Sequence, residues 1–167
     1  MCDRLLTLNF NLEGLFLKNI KPIISWILAF LWMIVIFLFS AQTGEESAVL
    51  SESILFNIAI PLLDFFSIPT YNVEFISFLV RKGAHVVVFF VLAILFINAI
   101  LASNLFKKIS HSYICAIILS FLYACLDEFH QSFVPDRNMS FGDVVIDTVG
   151  ACLGLAIFYS VSKKLHK

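Results

Sequence analysis

Four stretches of this chain stay apolar for about the thickness of a membrane, and most of its polar side chains are crowded between them. They run from Pro22 to Phe39, Gly83 to Leu101, Ile109 to Leu126 and Phe141 to Ser160. Each approaches the roughly 20 residues that about 30 Å of hydrocarbon requires at about 1.5 Å of rise per residue. The third carries His111 and Tyr113 at one end, and the fourth begins with Asp143 and Asp147 in its first turns. The pattern predicts an all-α, polytopic membrane protein, a four-transmembrane-helix bundle.

A further stretch, Ser47 to Ile68, is interrupted by Glu52, Asn57, Pro61, Asp64 and Pro69. Its longest clean run, Ile58 to Leu63, is too short to span, so it reads as an extracytoplasmic amphipathic helical segment between helices 1 and 2. Thr43 followed by Glu46 has capping-box spacing, which predicts a helix that begins near Gly44 and ends before Pro61. Asn72 is placed to cap the helix that leads to Arg81. Leu5 to Phe16 is apolar at near-helical spacing and predicts a short interfacial helix on the inner leaflet. The expected division is a cytoplasmic N-terminal segment (1–19), a transmembrane domain (20–161, with spans at about 22–40, 83–103, 109–126 and 141–160) and a basic cytoplasmic tail (162–167).

Composition agrees with the pattern. Of 167 residues 60% are apolar and 14% charged, with a mean hydropathy of +0.97; soluble domains average about 45–50% and about 25%. The 19 phenylalanines lie mostly in the apolar runs, as on a lipid-facing surface. A net charge of −1 with no basic run excludes a nucleic-acid partner.

Charge distribution sets the orientation, because cytoplasmic connections carry the excess of Lys and Arg. Arg4, Lys18, Lys21, Lys107, Lys108, Lys163, Lys164 and Lys167 fall on one side, with Asp3 and Glu13 as the only acids. The other side holds Arg81, Lys82, Arg137 and ten of the 12 acids. The first side is expected to be the cytoplasm, with both ends of the chain in it. Cys2, Cys115, Cys125 and Cys152 show no CxxC spacing and read as small apolar filler. No cleavable or lipoprotein signal is expected. Asn138-Met139-Ser140 matches a glycosylation acceptor of no expected consequence, and His111 and His166 read as solvated.

On this topology the polar residues of the spans collect at the outer end. Ser40 and Gln42 close the first span; Arg81, Lys82 and His85 open the second; Asp127, Glu128, His130 and Gln131 close the third; Asp143 and Asp147 open the fourth. Arg81 with His85, Asp127 with Gln131 and Asp143 with Asp147 are i,i+4 pairs sharing a helix face. Ionisable groups at membrane depth are costly and normally face the bundle interior in functional sites. Span-end charges can also simply anchor helices, and a polar network can simply clamp them. A layer fed by four helices favours a shared site.

These residues resemble the pattern of the VanZ-like membrane family. The blocks are Ser40-Ala41-Gln42, then Arg81-Lys82-Gly83-Ala84-His85, then Asp127-Glu128-Phe129-His130-Gln131-Ser132-Phe133-Val134-Pro135-Asp136-Arg137, continuing through Asp143 to Gly150 and Gly154. The resemblance covers roughly residues 22–160; Asp147 departs from it, standing where the pattern has Asn. It implies a bacterial envelope protein of the cytoplasmic membrane and an association with glycopeptide resistance of the teicoplanin type, without supplying a molecular activity.

Two functions from different classes follow as expectations. In the first, the site binds or acts on a lipid or lipid-linked envelope precursor at the outer face, with membrane lipids or a glycopeptide as partners. Arg81, Lys82 and Arg137 would hold phosphate, with Ser40, Gln42, Gln131 and Asp147 completing the binding set. If there is chemistry, His85, Asp127, Glu128 and Asp143 would carry it, His85 as the proton carrier. In the second, a non-enzymatic resistance or envelope-shielding protein works through Glu45 to Thr70, and the polar cluster only assembles the bundle. No cofactor or metal is expected, since no ligand spacing gathers His85, His130, Asp127, Glu128 and Asp143 and nearby cations oppose one. No inverted repeat or broken span suggests a transporter.

Overall fold

The structure, a computed structural model, describes residues 2–67 and 72–165, with side chains from 20 to 67 and from 72 to 164. Among these it contains helices and no strands: α1 (Cys2–Ser40), α2 (Gly44–Ile54), α3 (Ile60–Phe65), α4 (Val73–Ala102), α5 (Ile109–Gln131) and α6 (Phe141–Leu165). Expectations for the side chains of Cys2 to Lys18, and for Pro69, Thr70, His166 and Lys167, lie outside what the structure describes.

In hydrocarbon every backbone N–H and C=O must be satisfied within its own segment, so long apolar runs become continuous helices. Among the described residues five stretches are long and apolar enough to cross a membrane: Ile20–Ser40, Gly44–Phe65, Val73–Ala102, Ile109–Gln131 and Phe141–Lys164. The protein is a multi-pass membrane protein, helical throughout its described elements. The sequence pattern predicts four such stretches; Gly44–Phe65 is the additional one by length and composition. The predicted N-terminal helix runs on through Pro22 as part of the 39-residue α1.

The segment after α1 starts as expected. Thr43 accepts from the Glu46 amide while the Glu46 carboxylate accepts from the Thr43 amide at 2.9 Å, a complete capping box. It does not end before Pro61. A π turn at Leu55–Ala59 joins α2 to α3, and the Ile60 N–H reaches back to Leu55 O, five residues earlier. That wider turn accommodates Pro61, which has no N–H to give and whose ring would crowd a regular α turn. Asn72 caps α4 through a 3.0 Å bond from the Phe75 amide.

α4 is the central helix. Phe89, Leu92, Ala93, Phe96, Ile97 and Ile100 are buried among Ala29 and Ile36 of α1, Ala116 and Ala124 of α5 and Ala151 and Leu155 of α6. α4 and α6 run parallel and make the closest pairing. The reason lies in two glycines: a Cβ on Gly150 would sit 2.9 Å from Val86 Cα, and one on Gly154 would sit 2.5 Å from Phe90 O. The Gly-x-x-x-Gly face is thus consumed inside the bundle. α1 crosses α4 antiparallel, tied by Trp32 Nε1 to Val88 O at 2.9 Å and Trp26 Nε1 to Ser103 Oγ at 3.0 Å. Outward faces are apolar, with Phe30, Leu31, Leu38, Ile118, Leu122 and Ile157 exposed as lipid-facing residues are.

Candidate functional site

The end of α1, the third and fourth turns of α4, the end of α5 and the first turns of α6 meet at one level of the bundle. They bring Ser40, Lys82, His85, Asp127, Glu128, Gln131, Asp143 and Asp147 together as one polar layer. The chain then adds a floor and a wall. Loop 132–140 turns sharply at Asp136, whose φ of 58° lies in the left-handed region, and the Arg137 amide closes the turn on Val134 O at 3.3 Å. This returns the Arg137 side chain to the layer. α2 is pinned against the same loop, since Gly44 N donates to Pro135 O at 3.2 Å and a Cβ there would lie 2.5 Å from Asp136 O.

The polar residues divide into two groups. One group joins α4 to α6. Lys82 forms an ion pair with Asp143 and lies 5.6 Å from the Phe78 ring centroid, and His85 Nδ1 bonds Asp147 Oδ1 at 3.1 Å. One helical turn inward, Val86 meets Gly150, so these pairs continue the same seam. Asp147 is fully buried and its Oδ2 has no partner. Glu128 is also fully buried; its Oε2 accepts from the Ser140 amide at 2.7 Å, fastening the end of α5 to the end of the loop that leads into α6, while Oε1 is unpartnered.

The second group lines a cavity of about 300 Å³. Its polar wall is Ser40, Gln42, Arg81, His85, Asp127, Gln131 and Arg137. Its apolar wall includes Ile36 and Phe39 of α1, Val88 and Phe89 of α4 and Leu50 and Ile54 of α2. Gln131 donates to Asp127 Oδ2 at 3.1 Å. Ser40 Oγ lies beside the Asp127 carboxyl without meeting hydrogen-bond geometry, 3% exposed and unpartnered. Neither Arg81 nor Arg137 forms an ion pair among the described residues. Burial pushes the Arg137 guanidinium down from its usual value, and the Asp127 and Glu128 charges oppose that shift; a guanidinium stays protonated under such a shift.

All eleven sequence-predicted residues reach this end of the molecule, but only seven line the cavity. Lys82, Glu128, Asp143 and Asp147 are engaged beside it in tying helices and loop together. His130 turns the other way, stacked on Phe37 with centroids 4.4 Å apart and its Nε2 buried and unpartnered. Sequence reasoning missed Ser47 and Ser51, which with Leu50 and Ile54 form the α2 face of the cavity. Their spacing of three and four is the signal of one helix face. Among the described residues no three of His, Cys, Asp and Glu are grouped to hold a metal ion.

No curated protein and no solved structure matches the chain. The family model described as VanZ/LLP1 matches residues 25–162, a range that includes every residue of the polar layer, and the chain belongs to that family.

Proposed function

We propose that the protein crosses a bacterial cytoplasmic membrane four times and uses the cavity at its outer face to bind a phosphate-bearing lipid or lipid-linked envelope precursor. The observation that carries this is the cavity's double character, two guanidiniums without carboxylate partners set above an apolar wall. A guanidinium fork matches phosphate oxygens bidentately and sheds its water more readily than an ammonium does. The apolar side, lined by Ile36, Phe39, Leu50 and Ile54, suits the first carbons of a hydrocarbon chain.

Connectivity supports four crossings. Phe65 and Val73 are separated by seven residues, and the connection between them reaches at most about 29 Å. Val73 stands about 13 Å beyond Lys82 on the cavity side, at about 1.5 Å per residue. Had α2 and α3 crossed inward, their 22 residues would leave Phe65 about 33 Å below the cavity, out of reach of Val73. The segment therefore reads as a cover that begins and ends on the outer side. Lys21, Lys107, Lys108, Lys163 and Lys164 at the opposite end support a cytoplasmic location there.

The ion pairs between α4 and α6 favour the assembling role for Lys82, Asp143 and Asp147, so the two sequence expectations divide the cluster between them. His85 has both positions: it faces the cavity and is oriented by Asp147, the arrangement in which an imidazole can move a proton. The test is lipid retained by purified wild type, Arg81→Ala and Arg137→Ala proteins of equal fold, with teicoplanin tolerance of a sensitive host expressing each. Loss of both in the variants supports the reading; unchanged lipid retention removes the phosphate role from the arginines.

A further inference from the structure

The cavity has two chemically different poles. Arg81 and Arg137 present donors, whereas Asp127 presents carboxylate oxygens from the α5 side, with the Ser40 hydroxyl of α1 beside them. Asp127 is 5% exposed, and only its Oδ2 is engaged, by Gln131. Ser40 beside it is more deeply buried, and its hydroxyl has no partner at all. A bare phosphate accounts for the arginines and leaves these acceptors unanswered, with a carboxylate facing an anion. A carboxylate oxygen facing an anion with no donor between them is unfavourable. A ligand that carries a donor next to its phosphate answers both poles at once.

Resting on the binding reading above, we infer that the ligand is a phosphodiester lipid whose headgroup brings its own hydrogen-bond donor, an ammonium or a hydroxyl, to Asp127 and Ser40. The phosphate sits at Arg81 and Arg137, the donor group points across the cavity to α5 and α1, and the chain follows the apolar wall of Phe39, Leu50 and Ile54. Gln131 holds the Asp127 carboxyl in place for that contact.

Phosphatidylethanolamine and phosphatidylcholine separate donor from charge, because methylation removes the ammonium hydrogens and keeps the phosphodiester and both charges. The experiment measures binding of short-chain forms of these lipids, and of phosphatidylglycerol, to the full-length protein in detergent. Wild type should prefer the ethanolamine and glycerol lipids over the choline lipid by about tenfold, the worth of one charge-assisted hydrogen bond. Asp127→Asn, which removes the carboxylate charge, should bring the ethanolamine and choline lipids to within about threefold of each other, and Asp127→Glu, which keeps that charge, should restore the preference. Equal binding of ethanolamine and choline lipids in wild type overturns the inference, as does a preference that survives in Asp127→Asn. If Arg137→Ala still weakens all three lipids in that case, the phosphate reading stands alone; if it weakens none, both fail. Free glycerophosphoethanolamine should compete poorly, and competition as strong as that of the lipid overturns the lipid assignment.

Discussion

Asp147, fully buried, and Arg137, half-buried, illustrate two different duties of polarity at the end of this bundle, and substitution separates them. Asp147 accepts the His85 bond from a fully buried position, so Asp147→Ala should cost about 1–3 kcal/mol by stranding the imidazole, read as a lowered unfolding midpoint in detergent. Asp147→Asn keeps an acceptor oxygen there and should lose less than about half of that. Equal losses would contradict the clamp. Arg137→Lys keeps the charge but not the fork, and should weaken lipid binding by about tenfold without moving the unfolding midpoint. The participating residues were legible in the sequence because charges are conspicuous in apolar runs. Their partners were not: i,i+4 spacing shows that Asp143 and Asp147 share a face, yet only packing reveals that Lys82 and His85, three apart, meet them.

Helix packing rests on where a side chain would not fit. Gly150→Ala would drive a Cβ into the α4 backbone at Val86, whereas a Cβ added at Gly83, also in a helix, would meet nothing within 4 Å. Gly150→Ala should therefore destabilise by about 1–3 kcal/mol, and Gly83→Ala should be neutral or stabilise by up to about 1 kcal/mol, both measured by unfolding in detergent. Similar effects at the two sites would refute the close α4–α6 approach. The start of α2 was legible from Thr43 and Glu46 because a capping box is local. Its passage through Pro61 was not, because the π turn that accommodates the proline is a feature of hydrogen-bond pattern that residue type does not announce. Thr43→Ala should loosen the first turn of α2 by about 1 kcal/mol, seen as faster amide exchange at Glu46 and Ser47.

Taken as a whole, the molecule is a helical membrane scaffold with its hydrocarbon outside, its small residues at helix contacts and its polarity drawn to one end. The class and four of the helices were plain from hydropathy. The status of Gly44–Phe65 was not, since its composition suits either crossing or covering, and the distance its short connection to α4 can bridge is what favours covering. In a cysteine-free background, Cys placed at Glu52 should react with an impermeant thiol reagent from outside the cell, and Cys placed at Lys107 should not. The cavity itself could not be read from spacing, because α2 and the Asp136 turn that complete it come from separate connections. The most direct test is to reconstitute the protein with a phospholipid carrying a photoreactive group near its headgroup and to map the crosslinked residues by mass spectrometry. Crosslinks at Phe39, Leu50, Ile54 and Val88 that disappear in Arg137→Ala are the predicted result. Crosslinks spread over outward residues such as Phe30, Leu122 and Ile157, unchanged by the substitution, would contradict the claim that this cavity holds a lipid.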